Sequence, residues 1–168
     1  MLEFEKNSFY KKLIWLFPIA FFFHIIEESN GFPYWVTYVL EGKMEISLFY
    51  INNAMFMVVL IGLTLFAAKK QNRLSTFLLF LWVSGQQFWN FVFHIYTQFK
   101  FNAYSPGYFT AIFLYFPIYL YLTYLALRDE HIEWKHWLFC FFAGSFGMAF
   151  TIWSGLYHFG AVPWSKWI

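Results

Sequence analysis

Five side chains able to hold a metal or move a proton interrupt stretches that are otherwise apolar: His24, Glu27, Glu28, His94 and His158. Three of them fall in HIIEE, residues 24–28. On a helix, His24 and Glu28 stack on one face as i and i+4, with Glu27 at i+3 an immediate neighbour. A histidine and a carboxylate one turn apart can hold one cation, as the Glu-x-x-His pairs of helical di-metal proteins do. NFVFH, residues 90–94, puts Asn90 and His94 on one face by the same spacing. His94 is then a candidate third ligand, and His158, beside Tyr157 and Ser154, a candidate fourth. Three protein ligands and an open water position suffice for catalytic zinc, so His24, Glu28 and His94 alone would serve. The same donors suit iron or manganese.

The order of HIIEE is similar to the inverted zincin motif H-x-x-E-H, in which the outer residues bind zinc and the acid at i+3 is the base. Here Glu28 stands where that motif has its last histidine. By this analogy His24 and Glu28 are ligands and Glu27 is the general base. Each residue also has a structural reading. The glutamates can mark a helix end in headgroup water, the histidines can bond backbone carbonyls, and Asn52, Asn53, Gln86 and Gln87 can join helices by hydrogen bonds. The functional reading rests on cost, because an ionisable group at mid-membrane costs about 2.5–3.5 kcal/mol on insertion scales.

These residues need elements to carry them, and the composition says which kind. Of 168 residues 61% are hydrophobic, 28% aromatic and 12% charged, far from the roughly 25% charged of a soluble domain. Apolar runs close to the roughly 20 residues that cross a bilayer recur along the chain. The expected fold is an all-α integral membrane protein: a bundle of five transmembrane helices at about 13–31, 46–68, 74–99, 106–127 and 137–160, in one domain over 1–168. The polar segments KKQNR at 69–73 and RDEHIEWKH at 128–136 are the clearest breaks. The third span carries Gly85, Gln86, Gln87 and Asn90, so a four-helix arrangement with a re-entrant segment stays open.

Five spans put Lys6, Lys11, Lys12, Lys69, Lys70, Arg73, Arg128 and Lys135 on one side and Lys43, Lys100 and Lys166 on the other. By the positive-inside rule the N-terminus is then cytoplasmic and the C-terminus external. Trp35, Tyr104, Trp134 and Trp164 stand at span edges as interfacial anchors. At 1.5 Å per residue, His24, Glu27 and Glu28 fall about 18–24 Å across from the inner edge, and Asn90 and His94 about 24–30 Å. Asn52 and Asn53, on a span running the other way, lie about 10 Å below the outer surface. All of these side chains are thus expected in one outer layer.

Several classes are excluded or left without support. The net charge of +2 and the absence of a Lys/Arg-rich run argue against nucleic acid. The single Cys140 allows no internal disulfide and no cysteine zinc motif. MLEFEKNSFYKK mixes acids with lysines and leads to no small-residue cleavage site, so no removable signal peptide is expected.

HIIEE, the Asn90–His94 pair and YSPGYFTAIFLYFPIYLY at 104–121 together resemble the bacterial HXXEE-domain membrane proteins. The resemblance covers the first, third and fourth expected helices. It implies a bacterial cytoplasmic membrane and singles out His24, Glu27, Glu28, Asn90 and His94, without implying an activity.

Pro106 suits the first turn of a helix, whose free N–H groups can attract an anion. Tyr104, Ser105 and Thr110 would be hydrogen-bond donors to a headgroup there, with Asn52, Asn53 and Asn90 completing the substrate contacts. The leading expectation is a metal-dependent membrane enzyme, zinc favoured, a hydrolase or transferase acting on the headgroup of a lipid or other amphiphile at the outer leaflet. The rivals are a proton- or metal-ion transport protein using the same buried groups and an accessory membrane subunit.

Overall fold

The computed structural model describes residues 9–157, and His158 lies outside them. Within that range the chain is helical, with short loops and no strand. We number the helices α1 (Phe9–Ser29), α2 (Phe32–Tyr38), α3 (Ile46–Lys70), α4 (73–101), α5 (Tyr108–Arg128) and α6 (Trp134–Leu156).

Helices α1, α3, α5 and α6 are long and apolar enough to cross a membrane. The expected five spans are therefore corrected to four on this measure. Helix α4 runs without a break through Arg73–Val83, Ser84–Trp89 and Asn90–Phe101. What it lacks is hydropathy, because Ser84, Gly85, Gln86, Gln87 and Asn90 cluster in its middle.

Several of those polar groups find partners in the surrounding helices, and that helps to make a polar helix tolerable inside an apolar bundle. Gln87 Nε2 donates to the Phe17 carbonyl of α1 at 2.8 Å, and Ser84 and Tyr119 of α5 share a hydrogen bond of 2.8 Å. Trp89 Nε1 donates to the Phe141 carbonyl of α6 at 2.7 Å. Small residues let the backbones close in as well: a Cβ on Gly144 of α6 would sit 2.6 Å from the Gly85 nitrogen of α4. Helix α4 is thereby held at the centre of the bundle, while α3 and α6 turn Val58, Phe142 and Phe146 outward.

The helices are irregular where proline or packing requires it. Pro18 has no N–H for the Ile14 carbonyl, and α1 tightens there with Phe17 N donating to Ile14 O at 3.2 Å. Ahead of Pro117, α5 loosens into a π turn over Ala111–Tyr115, and α4 does the same over Ser84–Trp89. Single π turns of this kind recur at functional sites.

Connectivity places the C-terminal ends of α1, α4 and α6 and the N-terminal ends of α3 and α5 at one end of the bundle. Lys69, Lys70, Arg73, Arg128 and Lys135 gather at the other, where Arg73 pairs with Glu133 and Glu130. An apolar cluster of Phe32, Trp35, Val36, Leu40, Phe49, Phe93, Leu156 and Tyr157 closes the first end over the polar groups described next.

Candidate metal centre

Helix α1 brings His24 and Glu28 to its buried face, 1% and 5% exposed, and α4 brings His94, 0% exposed. Glu28 Oε1 lies 3.3 Å from His24 Nε2 and 3.4 Å from His94 Nε2. Neither Nε2 makes a hydrogen bond of regular geometry. The imidazoles meet edge to face, with centroids 5.0 Å apart, and all three potential ligand atoms lie within 4.8 Å of one another. In a tetrahedral zinc site, bonds of about 2.0–2.2 Å leave ligand atoms about 3–3.5 Å apart, so the two measured separations suit a shared ion. Two buried imidazole nitrogens without hydrogen bonds, facing one carboxylate, form a donor set that fits a divalent transition metal.

The other ring nitrogen of each histidine is held from outside. His24 Nδ1 lies 2.8 Å from Thr110 Oγ1, and that hydroxyl lies 2.6 Å from Glu27 Oε2. A hydroxyl has one proton, and Glu27 as a carboxylate can only accept it. Thr110 therefore accepts from His24 Nδ1–H, leaving the His24 lone pair on Nε2, towards Glu28 and His94. His94 Nδ1 is 2.9 Å from Ser105 Oγ, and Ser105 is fixed in turn by its N–H on Gln98 Oε1 at 3.0 Å. Hydrogen bonds of this kind on the second ring nitrogen fix the orientation of metal-binding imidazoles.

Glu27 itself points away from the trio. Its Oε1 accepts from Tyr104 OH at 2.6 Å and Phe109 N at 3.0 Å, and its Oε2 accepts from Thr110 N at 2.7 Å as well as the Thr110 hydroxyl. The anion expected at the start of α5 is thus the protein's own carboxylate, drawn to the free N–H groups of the first turn. Glu27 reaches His24 only through Thr110, a different placement from that expected of a base beside the ligands. Tyr104, Ser105 and Thr110, expected to meet a headgroup, direct their hydroxyls instead to Glu27, His94 and His24.

Gly107 is the contact that sequence reasoning passed over. A Cβ there would fall 2.7 Å from both His24 Cε1 and His94 Cε1 and 2.9 Å from His94 Nε2. Its φ of +99° also belongs to the region that glycine alone enters without strain. The signal was present in Ser-Pro-Gly, where Pro106 opens a turn and Gly107 completes it. Tyr115 was passed over too; its ring lies 4.4 Å from that of His24.

Beside the trio opens a cavity of about 610 Å³, within the roughly 300–1,000 Å³ of small-molecule sites. Its polar lining includes His24, Glu28, Asn52, Asn53, Gln86 and Asn90, and also Thr151 and Ser154 of α6, whose hydroxyls donate to the Gly147 and Phe150 carbonyls of their own helix. The remaining lining includes Phe21, Phe49, Phe56 and Met148. Asn53 Nδ2 is bonded to the Phe49 carbonyl at 3.0 Å, whereas Asn90 Oδ1 and Gln86 Oε1 are buried without a partner. Asn52, Asn53 and Asn90 therefore face one cavity with two of the three candidate ligands.

A family model described as protein of unknown function with HXXEE motif matches residues 15–122. The chain belongs to this family. The matched stretch of the HXXEE protein runs from α1 into α5 and contains His24, Glu27, Glu28, Asn90, His94, Ser105, Gly107 and Thr110, the whole trio with its supporting residues. Helix α6, one wall of the cavity, and His158 lie beyond it. No curated protein and no solved structure matches the chain.

Proposed function

We propose that this HXXEE protein is a membrane-embedded, metal-dependent enzyme whose ion is held by His24 Nε2, His94 Nε2 and Glu28, and that it acts on the polar head of an amphiphile as a hydrolase or transferase. The observation that carries this reading is the pair of buried imidazole nitrogens, without hydrogen bonds, facing one buried carboxylate at the wall of a cavity. Two histidines and one carboxylate with an open position are the ligand set of hydrolytic zinc sites. A zinc ion so held would polarise a carbonyl or phosphoryl oxygen and lower the pKa of bound water. The same set in facial arrangement suits iron, and manganese accepts it too. The chain's own part is to fix the ligands through Glu27, Thr110, Ser105 and Gln98, and to exclude bulk water with the apolar cluster around Phe32 and Trp35.

The protein as purified from cells is expected to carry close to one transition-metal ion per chain by elemental analysis, zinc predominating. Transition metal absent from protein that retains its helical content, even after incubation with zinc, iron or manganese, would overturn the reading.

The same proposal has a topology. We infer that α4 crosses the membrane with the other four long helices, sheltered by them because its polar residues bond to α1, α5 and α6. The N-terminus then faces the cytoplasm of a bacterial cell and the trio lies towards the outer leaflet, in keeping with the eight to three division of Lys and Arg. Reporters fused at residue 71 and after Arg128 are expected in the cytoplasm and one at residue 103 outside. A cytoplasmic reporter at 103 would overturn this orientation.

A further inference from the structure

The cavity reaches the surface in an unusual place. Met55 of α3 and Phe150 of α6 both line it, yet they are 55% and 57% exposed. Met55 is nine residues into α3 from the end near the trio, about 13 Å, and Phe150 is six residues from the end of α6, about 9 Å. Ile51 and Val58 of α3 and Phe142 and Phe146 of α6, on either side of this mouth, are exposed as well. In a chain whose long helices cross a bilayer, such a mouth opens sideways into hydrocarbon, between two lipid-facing helices.

From mouth to floor the lining changes character. At the mouth stand Met55, Phe150 and Gly147, and a Cβ on Gly147 would meet nothing within 4 Å. Deeper in, Phe49, Phe56 and Met148 give an apolar passage. At the floor are His24 and Glu28, with the unpartnered Asn90 Oδ1 and Gln86 Oε1 beside them. A buried amide oxygen without a partner is costly, and a ligand that donates a hydrogen bond removes the cost. An occupant matching this gradient has one aliphatic chain and a small head bearing a hydroxyl hydrogen. The volume is that of a single small-molecule site, enough for one chain and a small head.

We propose that the cavity takes a single-chain amphiphile with a hydroxyl-bearing head, a long-chain alcohol or protonated acid, which enters sideways between α3 and α6 and seats its head against Asn90, Gln86, His24 and Glu28. This names the ligand class of the site, the hydroxyl-bearing acceptor of a group transfer or the product released by hydrolysis of an ester, and rests on the proposed metal-dependent function for that chemistry, though the seat itself needs only the cavity.

The test uses the full chain in phosphatidylcholine nanodiscs with palmitic acid and hexadecanol carrying a photoreactive diazirine on the chain. Labelling is expected to concentrate on the segments of α3 and α6 around Met55 and Met148, and to be displaced by unlabelled palmitic acid or hexadecanol but not by added lysophosphatidylcholine. Gly147→Trp, which places bulk in the mouth, is expected to reduce labelling by about tenfold or more while metal content stays unchanged. Gly155→Phe, at a second cavity-lining glycine with open space around it, gives the same reading should the first variant fail to fold. Labelling spread evenly over lipid-facing residues, displacement by lysophosphatidylcholine alone, or labelling indifferent to both variants would overturn the proposal. Labelling that the variants block in protein devoid of metal would keep the chain pocket and overturn the metal reading instead.

Discussion

Glu28→Ala is expected to lower metal affinity by more than about 100-fold, beyond the 10–100-fold that loss of a residue supporting a ligand costs. Among the described residues the carboxylate is the acidic group that faces both imidazoles, at 3.3 and 3.4 Å. Without it two neutral nitrogens are left, in a layer closed to water by Phe32 and Trp35. His24→Ala and His94→Ala should match it. The supporting residues form a second tier: Thr110→Val and Ser105→Ala remove the hydroxyls that orient His24 and His94, and each is expected to weaken binding about 10–100-fold. Glu27→Gln belongs to this tier, because Glu27 acts on His24 through Thr110. The measurement is competition against a chromophoric chelator, with Glu28→Gln included as a variant of equal volume. Affinity within threefold of the parent for Glu28→Ala would remove Glu28 from the ligand set. A Glu27→Gln effect as large as that of Glu28→Ala would move Glu27 into it.

Gly107→Ala is expected to destabilise the protein by about 2–5 kcal/mol, combining a left-handed backbone cost of about 1–2 with an overpacking cost of about 1–3. The added methyl would lie 2.7 Å from carbon atoms of both imidazoles, so either the turn or both rings must move. Metal affinity should fall with stability, since the displaced rings carry the two nitrogens. Gly31→Ala separates the contributions: Gly31 has φ of +139° but nothing within 4 Å of a Cβ. It should show the backbone cost and keep full metal affinity. Thermal unfolding in detergent with parallel metal titration checks both variants. A Gly107→Ala protein no less stable than Gly31→Ala would contradict the close approach of this turn to the histidines.

Helical period by itself determined that His24 and Glu28 share a face, and that Asn90 lies one turn from His94, because i and i+4 coincide on any α-helix. Composition and the two polar breaks at 69–73 and 128–136 determined a membrane-type helical chain, since so apolar a sequence has no soluble way to cover itself. The count of apolar spans was not legible, because hydropathy sums residues one at a time. Whether Gln86, Gln87 and Ser84 are tolerable depends on acceptors such as the Phe17 carbonyl and Tyr119, which only packing supplies. The direction of Glu27 was likewise undecided by spacing. At i+3 from His24 it can turn towards the ligands or away, and the free N–H groups of Phe109 and Thr110, some 80 residues later, turn it away. The meeting of His94 with His24 and Glu28, the seating of Gly107 against both rings, and the sideways opening of the cavity between α3 and α6 each join residues far apart in the chain. Local propensity carries no information about such contacts; they are set by which helix faces pack together, and so belong to the tertiary structure alone.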